Sequence, residues 1–330
     1  METKILQGRS ILKQLIENKN RASSIFNCYL ELSKYRLSSF VVLTSIGGYA
    51  MTTDMNMSTL LIGSIGTTLC AFSANSFNQV IEQKYDTLMN RTKNRVLPRK
   101  ALTRQHALCY SIASGLVGTS LLSTLGVWPA FLGFCNIGLY ALVYTPLKRK
   151  TEHNTEIGSL VGAIPPLMGY SFGSASLLEP AAWILPTALF LWQFPHFNAL
   201  SYRLKDDYKR AGYRMQCLAN PRLNTSISLI ASLSTIPLTC YASLSGIDSF
   251  LFMIDGNILN AGLIYYAWKF HKNHESSREL FRFSLLYLPL YMILLLFHKN
   301  RENDFFTFNW RNLSCTHESK NSSSCLSPLE

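Results

Sequence analysis

The feature that most constrains this chain is a regular series of apolar runs. Each is roughly 16–22 residues long, and short polar stretches part them. At about 1.5 Å of rise per helical residue, such runs match the hydrocarbon core of a bilayer. About nine candidate spans can be placed, near 37–53, 58–80, 106–124, 127–146, 157–176, 182–200, 226–245, 249–270 and 281–298. Inside a bilayer each backbone polar group needs an internal partner, so the runs fold as helices. Gly, Pro and Ser within several runs agree with this, because neighbouring helices re-satisfy the backbone. The expected fold is all-α, a polytopic membrane bundle of about nine transmembrane helices.

The net charge is +12. In a soluble protein that excess would suggest a nucleic-acid partner. The loops argue otherwise. Those near 54–57, 125–127, 176–181 and 246–248 carry almost no Lys or Arg, while those near 81–105, 147–156, 201–225 and 271–280 carry nearly all the rest. This alternation is the positive-inside pattern with an inside N-terminus. A soluble nucleic-acid binder would not skip every second loop, so no nucleic-acid partner is expected.

Residues 1–33 form a basic tail with Lys4, Arg9, Lys13, Lys19 and Arg21 and no apolar core, so they are not a secretory signal peptide. They read equally as a transit segment or a tail on the charged-loop side. Residues 34–298 form the membrane domain, and 299–330 a polar, Ser/Asn-rich tail expected to be disordered. Sequons at Asn312 and Asn321 matter only in a secretory compartment. Cys70, Cys109, Cys135 and Cys240 lie in apolar runs and read as small packing residues, whereas Cys315 and Cys325 lie in the tail, where a disulfide is a minor option.

Three charged clusters bear on chemistry. In the first, Asn78, Glu82 and Asp86 are four residues apart and therefore stack on one helix face where the second span runs into a basic loop. Two carboxylates and an amide oxygen suit a hard divalent cation such as Mg²⁺, which keeps waters and bridges to phosphates. Arg91, Lys93 and Arg95 follow at once and can hold phosphate oxygens. Ordinary salt bridges in an interfacial loop are the competing reading. In the second cluster Tyr144 and Lys148 are four apart, with Pro146 expected to bend or end the helix between them, and Arg149 follows. The third holds Arg203, Asp206, Asp207 and Arg210, which fit either a salt-bridged helix or a second metal site. His196, in an apolar span, reads as hydrogen-bonded packing, a metalloporphyrin ligand or a proton-handling group. All three clusters fall on one predicted side and can cap a single apolar cavity. Acidic metal ligands and basic phosphate holders above such a cavity suit a diphosphate with a long hydrocarbon tail.

These residues resemble a known family. Asn78-xxx-Glu82-xxx-Asp86 with the Arg91–Arg95 run is similar to the first aspartate-rich motif of the UbiA-type intramembrane prenyltransferases. Arg91-Thr-Lys-Asn-Arg95, Tyr144-Thr-Pro-Leu-Lys148-Arg149, Gly158 to Gly169, Trp192-Gln-Phe-Pro-His196 and Asp206-Asp207-Tyr208 resemble the protoheme IX farnesyltransferase branch, over residues 30–298. The resemblance implies a nine-helix bundle that transfers farnesyl from farnesyl diphosphate to a vinyl group of heme B, giving heme O on the way to heme A of cytochrome oxidase. It implies that Asn78, Glu82 and Asp86 hold Mg²⁺ and diphosphate. Arg91, Lys93, Arg95, Lys148 and Arg149 would neutralise phosphate, joined by Tyr144 and Arg203. Asp206 and Asp207 would form a second acidic metal site, and His196 would face the heme. Heme A synthase or oxidase assembly proteins are the implied partners. The implied location is the mitochondrial inner membrane with charged loops on the matrix side, or else a bacterial plasma membrane. Two residues depart from the wider family: Glu82 replaces an Asp, and the second site lacks a spaced Asp-xxx-Asp. A quinone-precursor acceptor, a transporter and a non-catalytic assembly subunit are the competing functions.

Overall fold

The computed structural model of the chain describes residues 24–173 and 176–300. The calls made on residues 1–23 and on the C-terminal tail, including Cys315, Cys325 and both sequons, lie outside the described residues. The regular secondary structure of the described residues is all helical, apart from one isolated bridge between Asp248 and Lys299.

The principal helices are α1 (Tyr35–Ala50), α2 (Met57–Asp86), α3 (Arg104–Ser123), α4 (Val127–Lys150) and α5 (Asn154–Tyr170). They are followed by α6 (Ala181–Arg203), the short α7 (Lys205–Arg210), α8 (Pro221–Leu244), α9 (Phe250–Lys272) and α10 (Ser277–Phe297). Several starts are legible as caps. The Asn56 side chain accepts from the Ser58 N–H, Thr103 from His106, and Asn220 from Leu223 just ahead of Pro221.

Each expected span coincides with a helix. Five of these are long and apolar enough to cross a membrane by themselves, namely α2, α4, α8, α9 and the His274–Phe297 rod. Of the others, α1 and α5 have only 16 and 17 residues, while α3 and α6 carry Ser, Gln, His or Asn among their apolar residues. Nine crossings therefore remain an expectation.

Small residues let the helices close on one another. At the crossing of α1 and α5, a Cβ on Gly48 would lie 1.9 Å from the Pro166 carbonyl oxygen, and one on Gly169 would lie 1.8 Å from that of Ser45. Only glycine fits at either position. The largest core cluster joins α6, α9 and α10 through Leu185, Phe252, Phe270, Tyr287 and Tyr291. The outside is apolar too, with Leu61, Leu116, Phe134, Leu142, Ile258 and Ile293 all exposed, as a lipid-facing surface requires.

The charged loops meet at one end. The Arg91 N–H donates to Asp207 Oδ2, the Arg214 N–H donates to the Lys148 carbonyl, and Tyr202 packs against His274. At the opposite end, Lys299 Nζ donates to the carbonyls of Ala50 and Thr52. The alternation read from the loops is thus a real partition of the bundle.

Candidate active site

The last turns of α2 carry the centre of the site. Asn78, Glu82 and Asp86 lie on one helix face, and all three are buried. Each of the three side chains meets a cation from a different part of the chain. Lys34 Nζ donates to Asn78 Oδ1 at 2.6 Å, Lys148 Nζ to Glu82 Oε1 at 2.8 Å, and Arg95 Nη1 to both Asp86 oxygens at 2.8 Å. Arg95 also lies 3.7 Å from Glu82 Oε2. Buried carboxylates are tolerated only with partners of this kind.

Local structure explains how the cations arrive. Lys34 sits in the turn before α1 at φ 48° and ψ 51°, a left-handed conformation uncommon for a side chain other than Gly, Asn or Asp. Burial first, then the nearby Arg95 charge, pulls its ammonium well below the usual lysine range. Burial opposes the Arg95 charge as well, but Asp86 and then Glu82 more than offset it.

Lys148 depends on a feature the sequence did not reveal. Pro146 does not end the helix. The backbone widens into a π-helical stretch at Leu139–Tyr144, and both the Thr145 N–H and its hydroxyl reach the Tyr140 carbonyl. The rod then continues to Lys150 with Pro146 in its opening turn, where the absent N–H costs least. The Lys148 ammonium lies 4.5 Å from the Tyr144 ring centroid, and Tyr144 stacks on Tyr140.

Lys34, Asn78, Glu82, Arg95 and Lys148 form the mouth of a cavity of about 330 Å³, while Asp86, fully buried, holds Arg95 from outside the lining. Arg91, Tyr144, Tyr208 and Tyr213 share the mouth, and Leu37, Val41, Ile137 and Met168 line it further in. The result is a charged, oxygen-rich head above an apolar interior.

Other expected site residues sit elsewhere. Lys93 is exposed and donates to Asn90. Arg149 donates to the Tyr85 hydroxyl at 2.6 Å and faces a second cavity. Asp207 pairs with Arg210 in α7, Asp206 is exposed, and Arg203 stacks over Phe281; none of the three lines the cavity. The third cluster holds one salt bridge, Asp207 with Arg210, and among the described residues no three of His, Cys, Asp or Glu gather as a metal site there or at Glu82 and Asp86. His196 turns away from the cavity. Its Nδ1 lies 2.9 Å from Ser284 Oγ, and its ring stacks between Trp192 and Phe281 in the seam of α6 and α10. A heme-facing role for it gains no support here, because its neighbours Gln193 and Phe197 line the cavity and it does not.

The sequence reading missed Lys34, Tyr140 and Tyr213 as cavity residues, and singled out Tyr208 only beside Asp206 and Asp207. Lys34 had a faint signal as a basic residue abutting the first span; the tyrosines had none that separates them from core aromatics.

Known proteins bear on the family and the fold. The model of the UbiA prenyltransferase family matches residues 40–296. The chain is 39% identical to the mitochondrial protoheme IX farnesyltransferase of Yarrowia lipolytica over 91% of its own length and 67% of the relative's. It is 40% identical to the Homo sapiens protein of that description, over 80% of this chain and 60% of the relative. Among solved structures, one from work on digeranylgeranylglyceryl phosphate synthase in membranes superposes with a TM-score of 0.72 at 14% identity, covering 83% of this chain and 98% of that one. A UbiA homolog from Archaeoglobus fulgidus bound to DMAPP and Mg²⁺ gives 0.63 at 14% identity, covering 81% and 98%. At that identity the likeness speaks for the fold. By its match over most of the membrane bundle, the chain belongs to the UbiA prenyltransferase family.

Proposed function

We propose that this protein is a protoheme IX farnesyltransferase of the mitochondrial inner membrane. Farnesyl diphosphate, heme B and water give heme O and inorganic diphosphate. The allylic C–O bond breaks with its electron pair going to diphosphate. The farnesyl carbon bonds to the outer vinyl carbon, and water adds its oxygen at the inner one and releases a proton.

One observation carries the prenyl-donor half of this reading. Three cations and the oxygens of Asn78 and Glu82 ring the mouth of an apolar cavity, with Asp86 holding Arg95 from behind, as a diphosphate head on a hydrocarbon tail requires. Lys34, Lys148 and Arg95 turn from Asn78, Glu82 and Asp86 to the phosphate oxygens. The leaving group is stabilised where its charge develops. Tyr140 and Tyr144 face the same space and favour a transient allylic cation. The apolar interior keeps water from it.

The oxygen-only set of Asn78, Glu82 and Asp86 suits Mg²⁺ and would hold it together with the diphosphate. When bound, the metal supplies charge neutralisation to the leaving group. Asp206 and Asp207 lie outside that set. The acceptor assignment rests on kinship with relatives described as protoheme IX farnesyltransferases. The charged-loop end faces the matrix, residues 34–298 form the catalytic domain, and heme A synthase is the natural partner to receive the product.

The test uses proteoliposomes of the full chain with heme B, farnesyl diphosphate and Mg²⁺. A heme heavier by a farnesyl group plus a hydroxyl group is expected by mass spectrometry. Folded protein that leaves heme untouched but prenylates a phenolic acceptor would replace this reading with the quinone-precursor one.

A further inference from the structure

Arg149 does not share a cavity with Lys148, although the two are adjacent in sequence. A second cavity of about 400 Å³ opens on the charged-loop end, walled by Glu82, Tyr85, Thr145, Arg149, Lys150 and Tyr213. Glu82 and Tyr213 line both cavities, so they form the partition between them. The chemistry differs on the two sides. The first cavity runs into apolar residues, as a prenyl chain requires. The second has two cationic side chains, and both Arg149 and Lys150 are exposed to solvent at its rim.

The partition holds an unsatisfied donor. Tyr213 is 5% exposed, and its hydroxyl is buried with no hydrogen-bond partner. A buried hydroxyl is ordinarily paired, because leaving it unpaired forfeits the hydrogen bond it would make to water. The wall is also firmly set. The Arg214 N–H donates to the Lys148 carbonyl at 2.8 Å, and Asn154 Nδ2 donates to the Arg214 carbonyl at 2.8 Å. Arg149 is braced over the Tyr85 ring at 4.2 Å.

We propose that this second cavity is a docking site for the inorganic diphosphate released by the reaction, with Arg149 and Lys150 as its cations and the Tyr213 hydroxyl as a donor. This rests on the farnesyl-transfer reading. Once the C–O bond breaks, the small product is a polyanion with no apolar part. Its path to water runs past Glu82 towards the cationic rim, while the prenyl donor and the heme stay on the membrane side. Tyr213 then gains the partner it lacks. A separate seat for the product would keep it from competing directly with the next farnesyl diphosphate.

The experiment measures inhibition of farnesyl transfer by added inorganic diphosphate in proteoliposomes, for the unaltered protein, Lys150→Glu and Lys150→Arg. Mixed inhibition against farnesyl diphosphate is expected in the unaltered protein. Lys150→Glu should raise the diphosphate inhibition constant about tenfold more than it raises the KM for farnesyl diphosphate, since a charge reversal a few ångströms from an anion is felt strongly. Lys150→Arg should leave the inhibition constant within about twofold. Tyr213→Phe, which removes only the hydroxyl, should weaken inhibition by about three- to tenfold. Purely competitive inhibition that Lys150→Glu leaves unchanged, or a shift equal in both constants, would overturn the proposal. Should the protein make no farnesylated heme, the function reading fails separately. Equilibrium binding of labelled diphosphate to purified protein then decides the site, which stands if Lys150→Glu weakens that binding and falls if it does not.

Discussion

Replacing Lys148 with Met tests whether its ammonium serves the substrate or only neutralises Glu82. Met keeps the length and apolar stem and removes the charge. Glu82, with its side chain 6% exposed, would lose its 2.8 Å partner. Removing one member of a buried pair typically costs about 3–5 kcal/mol. Arg95 at 3.7 Å remains and offsets part of this, so the expected loss is about 2–4 kcal/mol. The assay is denaturant unfolding in detergent, run beside farnesyl transfer per folded molecule. Transfer should fall by about 10²–10³, the usual scale for losing one stabilising donor at a developing anion. In the double variant Glu82→Gln/Lys148→Met, with neither charge left, stability should recover to within about 1 kcal/mol of the unaltered protein. A stability loss under about 1 kcal/mol in the single variant would refute the buried-pair reasoning. Transfer per folded molecule within threefold of normal would refute the role assigned to the ammonium.

Four further outcomes are expected. Lys34→Met, which leaves Asn78 Oδ1 without its donor, should raise the KM for farnesyl diphosphate about tenfold with a smaller change in kcat, measured by steady-state kinetics. His196→Phe should keep transfer within about threefold while lowering stability by about 1–2 kcal/mol, because it loses the Ser284 bond but keeps the aromatic stack; complete loss of transfer would restore a direct role. Gly169→Val should destabilise by about 3 kcal/mol or more in thermal unfolding, since its Cβ would overlap the Ser45 carbonyl of α1. Asp248 lies in the turn between α8 and α9, 1% exposed, its carboxylate oxygens without hydrogen-bond partners. Burial pushes it up to about 7, Lys299 offsetting part. An acid raised in the folded state binds more protons there than when unfolded, so stability falls as pH rises from about 4 through about 7. Asp248→Asn should therefore be more stable than the unaltered protein at pH 8, by at most about 4 kcal/mol, and the gain should vanish near pH 4.

Much of this was legible in the residues. The apolar runs placed the helices, because a bilayer leaves the backbone only helical solutions here. Four-residue spacing put Asn78, Glu82 and Asp86 on one face of α2, and loop charge put three clusters at one end. Span number was less secure, since short or polar-dotted helices such as α1 and α6 depend on neighbours for their place in the bundle.

The sequence by itself determined the helix positions, the oxygen face and the sidedness of charge, because each follows from local periodicity and solvent preference. Only the tertiary structure decided which cation meets which oxygen. Lys34 reaches Asn78 across 44 residues of chain and Lys148 reaches Glu82 across 66, by way of a left-handed turn and a π-helical widening. It also sent Arg149 and Lys148, neighbours in the chain, into different cavities, and turned His196 into a helix seam. Those choices depend on how packed helices rotate about their axes, and no pattern within a single segment encodes that rotation.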